Sequence, residues 1–150
     1  MAVVTEAGRH KVTRSGKQAD VMLTVVAEAM AIEQVVPSEI GGSRLILLVV
    51  LRDGATLTPR LQDDIRRELA LRGSAAHVPA VILAREDLPT THSNKRSERA
   101  ARDAVNRRPV ANIGALRNPE SLEGLDTAPE LSLEAAATRG IGPSHDVSVD

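Results

Sequence analysis

The run Arg44-Leu45-Ile46-Leu47-Leu48-Val49-Val50-Leu51-Arg52 limits the fold more than any other stretch. Apolar side chains fill every position between the two arginines. The run is far short of the roughly 20 residues that a membrane helix needs, and it lacks the polar face of a surface helix. It is therefore predicted to be the central strand of a sheet. Asp53-Gly54 follows as a turn signal.

The next segment carries helix punctuation. Thr58 is placed as N-cap and Pro59 at the first helical position, and Asp63-Asp64 precede Arg66, Arg67 and Arg72 in the order that a helix dipole favours. Leu57, Leu61, Ile65 and Leu69 form one stripe, and Gly73 ends the helix. Val78 to Ala84 reads as a further strand, with Pro79 near its start where a missing donor is tolerated. Ahead of the central run, Asp20 is placed as the cap of a helix from Val21 to about Ala31. Met22, Val25, Val26, Ala29 and Met30 recur there at helical spacing, so that helix is expected to lie largely buried against the sheet. Ile32 to Val36 is a short strand candidate, and Pro37 to Gly42 a turn or hairpin loop.

Gly8 to Lys17 reads as a two-stranded ribbon or loop. Ser97 is the expected cap of a short helix over Glu98 to Asn106, with Ala100, Ala101, Ala104 and Val105 on its inward side. Asp126 to Asp150 has no periodicity, and a mostly disordered tail with one helical turn near Leu131 to Ala137 is expected. These elements define an α+β class: a small mixed sheet of about three core strands with two to three helices packed on it, plus a short N-terminal ribbon. The expected division is residues 1–18 as N-terminal ribbon, 19–123 as the folded domain and 124–150 as tail.

Between the last strand and the short helix lies Asp87-Leu88-Pro89-Thr90-Thr91-His92-Ser93-Asn94-Lys95-Arg96-Ser97-Glu98-Arg99. Lys95 sits on the flexible link. A lysine on a turn is free to enter the cleft of another domain, where its ammonium acts as a point charge on phosphate or carboxylate oxygens. The same residues also read as an ordinary polar loop with Lys95 merely solvated. These residues alone leave both readings open.

Composition removes several classes. A formal net charge of −1, with both signs mixed along the chain, supplies no long-range field for nucleic acid or an anionic membrane, so neither is an expected partner. The chain has no Cys, which rules out a disulfide framework, a thiolate nucleophile and a cysteine metal site. That fits a reducing cytoplasm, the expected location, as does a polar start without the apolar centre of a signal peptide. The absence of Phe, Trp and Tyr argues against a complete nucleotide pocket, which usually borrows an aromatic face. His10, His77, His92 and His145 are scattered with no metal-ligand spacing, so no metal is expected. Ser93 beside His92 is no nucleophile and base pair, because adjacent loop side chains diverge.

The order of elements, with Gly8-Arg9, Val49-Val50-Leu51-Arg52-Asp53-Gly54-Ala55-Thr56-Leu57, His77-Val78-Pro79, Leu88-Pro89-Thr90-Thr91-His92-Ser93-Asn94-Lys95, Val105-Asn106-Arg107 and Leu116-Arg117-Asn118-Pro119-Glu120-Ser121-Leu122, resembles the C-terminal lobe of acyl-adenylate-forming (AMP-binding) enzymes. Within that family the likeness is to acetoacetyl-CoA synthetases, and it covers roughly residues 8 to 123. The resemblance implies a lobe that swings against a larger ATP-binding lobe, between an adenylating and a thioester-forming orientation. It implies Lys95 as the lysine that neutralises charge on the carboxylate and α-phosphate, supported by Pro89, Ser93 and Asn94 in its loop. It implies Arg9 and Lys11 as the hinge.

Departures from the family's pattern accompany the likeness. Asn94 stands where the family has Gly, and Asn tolerates a left-handed backbone better than other non-glycine residues. Ala76 replaces a basic residue, and Gln18 to Met22 replaces the usual helix entry. The family's N-terminal lobe, with its phosphate loop and adenine pocket, is not among these residues. ATP with Mg and CoA are therefore expected only through a partner lobe, and no activity is expected of the chain alone. Three functions stay open: a C-terminal lobe completing an ATP-dependent acyl-CoA ligase in trans, a non-catalytic interaction or regulatory module, and a truncated remnant.

Overall fold

The computed structural model describes residues 24–37 and 41–133. The expected N-terminal ribbon lies outside these residues. β1 (Val26–Val35) and β2 (Ser43–Leu51) pair antiparallel, and β2 pairs in parallel with β3 (Val81–Ala84), giving the order β1-β2-β3. The apolar run is thus the middle strand of a mixed three-stranded sheet. Its side chains alternate between two cores, as the pleat requires. Leu45, Leu47, Val49 and Leu51 face one cluster, while Ile46, Leu48 and Val50 face the other.

Each core has its own helical cover. α1 (Pro59–Arg72) follows β2 and supplies the long crossover that a parallel neighbour demands. Thr58 Oγ1 accepts from Leu61 N at 3.1 Å, Pro59 opens the helix and Gly73 closes it. Leu57, Leu61, Ile65 and Leu69 pack on Val26, Ala29, Ala31, Leu47, Val49 and Ile82. α2 (Glu98–Val105) covers the opposite face, capped by Ser97 and with Ala100, Ala101, Ala104 and Val105 buried. These two helices and the sheet establish the α+β class.

Three sequence expectations need correction. The helix expected up to Ala31 gives way to β1 from Val26 onward, and the short strand expected over Ile32 to Val36 is its continuation. The physical reason is a register shift between Val26 and Glu28. A bulge adds a residue, so Val26 and Ala29 share a face although three apart, which copies helical spacing. Because β1 is buried on both faces, Met30 and Ile32 are apolar as well, and no polar stripe exposes the difference. β3 begins at Val81 rather than Val78. The Pro79 and Ala80 carbonyls accept from the Arg66 guanidinium at 3.1 and 3.2 Å, outside any strand ladder.

The third correction lies beyond α2. Short 3-10 turns at Ile113–Ala115, Pro119–Leu122 and Pro129–Leu131 carry Leu116, Leu122, Leu125 and Leu131 into the core under α2. Leu131 is buried and its carbonyl accepts from Gln34 Nε2 at 2.9 Å, so ordered packing runs past Asp126. Single turns leave no repeating pattern for sequence periodicity to detect.

Candidate functional site: the lysine hairpin

The chain leaves β3 and turns at Asp87, whose Oδ1 accepts from Leu88 N at 2.8 Å. Leu88, Pro89 and Thr90 are then buried in succession. A hairpin follows, with Thr90 and Arg96 bridged antiparallel. Thr91 N donates to Lys95 O at 2.8 Å, and Asn94 N donates to Thr91 O at 2.9 Å. This pattern closes a three-residue loop with a bulge, which needs a left-handed residue just before the returning strand. Asn94 supplies it at φ 60°.

Lys95 follows Asn94 directly and is exposed. Its backbone is fixed: its N–H donates to Thr91 Oγ1 at 3.1 Å and its carbonyl accepts from Thr91 N. No hydrogen bond or ion pair holds its ammonium among the described residues. Ser93 Oγ lies 3.1 Å from Thr91 Oγ1, inside the loop, and Asn94 Oδ1 accepts from the Arg117 guanidinium. Pro89 is buried at the hairpin's base, and its carbonyl accepts from Ser97 N at 2.8 Å. Lys95, Pro89, Ser93 and Asn94 are thus gathered in one hairpin. Arg9 and Lys11 lie outside the described residues.

Four further groups build the hairpin's base, and sequence reasoning gave none of them a role there. Asn118, buried, accepts from Thr90 N at 2.8 Å and donates to Leu88 O at 2.8 Å and Asp87 Oδ2 at 2.6 Å. Arg117 N donates to Thr90 O at 2.8 Å, and Leu116 forms an antiparallel bridge with Thr91, which lays the chain after the Ile113–Ala115 turn alongside the hairpin. Arg96 donates to Thr90 Oγ1 and pairs with Glu28 of β1. The one local hint was Asn118-Pro119, a turn signal; the other pairings join residues distant in sequence.

The arrangement presents the Lys95 ammonium on a hydrogen-bonded hairpin whose tip also carries the Arg117 guanidinium, a placement suited to contacting an anion carried by another body. Among the described residues no group of three or more His, Asp or Glu side chains could hold a metal ion. His77 is instead engaged locally, its Nδ1 3.0 Å from Ser74 Oγ. No described helix is long and apolar enough to cross a membrane.

No family model matches the chain. In three dimensions it is similar to the acetoacetyl-CoA synthetase from Streptomyces lividans, with a TM-score of 0.54 and 26% identity over 81% of this chain and 18% of that one. The class of protein that the sheet and its helices resemble is thus one portion of an acyl-CoA synthetase. Within the class, the chain is 43% identical over 98 residues to the acetoacetyl-coenzyme A synthetase of Rhizobium meliloti strain 1021, covering 65% of this chain and 15% of that protein. The acetoacetyl-CoA synthetase of Rattus norvegicus is 36% identical over 91 residues, or 61% of this chain and 14% of its own length. The chain thus spans about 15% of the length of these curated relatives and is similar to that part of them.

Proposed function

We propose that this domain works as the C-terminal lobe of an acetoacetyl-CoA-synthetase-like acid–thiol ligase and contributes Lys95 in trans to a separately encoded ATP-binding lobe. The observation that carries the reading is Lys95 itself: an exposed ammonium at the end of a hairpin whose backbone is tied at both sides, on a domain similar to part of acetoacetyl-CoA synthetases. ATP with Mg and CoA are bound by the partner lobe in this reading. None is bound by this chain alone.

Adenylation joins a carboxylate oxygen to the α-phosphorus and releases pyrophosphate. Negative charge then crowds the bridging and equatorial oxygens, and a lysine fixed beside them lowers the barrier without forming a bond. Arg9 and Lys11 are the hinge on which the lobe turns toward thioester formation. In the test, the full chain is combined with a candidate ATP-binding lobe, and ATP–pyrophosphate exchange is followed with acetoacetate as the acid. Exchange should require this chain and fall by on the order of a hundredfold or more with Lys95→Ala. Undiminished exchange in the mutant would leave a non-catalytic interaction module as the function.

A further inference from the structure

We infer that Arg96, braced by Glu28, is the positioning residue that aims Lys95; the inference rests on the reading of Lys95 as the reacting finger and says how the finger is held. Adjacent residues on an extended segment point to opposite faces. Arg96 turns inward, its side chain 24% exposed, and Lys95 therefore projects outward. The direction of the lysine is thus set by how firmly the arginine is held.

Arg96 is held from two sides. One guanidinium nitrogen donates to Oγ1 of Thr90, the buried residue across the hairpin bridge, whose own N–H is bound by Asn118. The other pairs with Glu28 Oε1, on β1 beside its bulge. Glu28 Oε2 is buried and accepts no hydrogen bond among the described residues, so Arg96 is the partner that compensates this carboxylate there. An isolated ion pair on a surface contributes little, but a planar fork shared between two elements fixes a geometry. Here the fork joins the lysine hairpin to β1, an edge strand of the sheet. With the fork removed, the hairpin's backbone bonds open more often and its angle to the sheet is no longer fixed. A misplacement of about 1 Å in a reacting group can cost on the order of a hundredfold.

Two measurements decide the matter. In the full chain, Arg96→Met should speed amide exchange at Thr91 and Asn94, whose N–H groups close the hairpin, by about tenfold, with Leu47 and Val49 in β2 unchanged. Arg96→Lys, a point charge that reaches one partner at a time, should fall between the two. Unchanged exchange at Thr91 and Asn94, or equal acceleration in β2, overturns the brace. With the ATP-binding lobe added, Arg96→Met should lower kcat of pyrophosphate exchange about tenfold, leave KM for ATP unchanged, and cause no further loss in a Lys95→Ala background. A full additional loss there overturns the proposal, because the arginine would then act independently of the lysine. If Lys95→Ala itself is harmless, the catalytic reading fails, while amide exchange still decides whether Arg96 holds the hairpin.

Discussion

Asn94 is where a single residue decides whether the hairpin exists. At φ 60° an alanine would press its Cβ toward the following carbonyl, at a cost of about 1–2 kcal/mol, while glycine meets no such penalty. Asn94→Ala is expected to destabilise the chain by about 1 kcal/mol in urea denaturation. Asn94→Gly should stay within about 0.5 kcal/mol of the parent, because backbone ease offsets the lost Arg117 hydrogen bond. An alanine variant as stable as the parent would mean that the loop does not need the left-handed residue. This much was legible in the sequence, since few residue types tolerate that conformation. The grip of Glu28 on Arg96 was not, because it depends on the register of β1 and on a bulge that no local pattern announces.

Among the elements, α1 and α2 were readable and β1 was not. Caps are local: Thr58 and Ser97 each accept from an N–H three residues on, so the signal lies within one turn. A strand buried on both faces has no such mark, and its bulge imitates the spacing of a helix. What keeps β1 a closed edge is also non-local. Asn106, just past α2, accepts from Val35 N at 2.8 Å and donates to Glu33 O at 2.9 Å, so one carboxamide stands in for a neighbouring strand. Asn106→Ala should cost about 1–2 kcal/mol and selectively speed amide exchange at Val35. Protection of Val35 equal to the parent's would show that the carboxamide is dispensable there.

At the scale of the whole molecule, β2 is shared property. Ile65 of α1 and Leu125 beyond α2 are both fully buried, yet they belong to clusters on opposite faces of one sheet. Neither cluster can persist without the strand between them, so the two faces should unfold together. Ile65→Val is expected to cost about 0.5–1.5 kcal/mol and Leu125→Ala about 2–5 kcal/mol. Each should shift a single denaturation transition with little change in its slope. Because the side chains share no partner, the double variant should lose the sum to within about 0.5 kcal/mol. Two resolved transitions, with Leu125→Ala moving one alone, would mean that each helix and its cluster fold independently on the sheet. The hairpin would then be mounted on a face able to loosen separately, whereas a single transition ties the reach of Lys95 to the stability of the entire described domain.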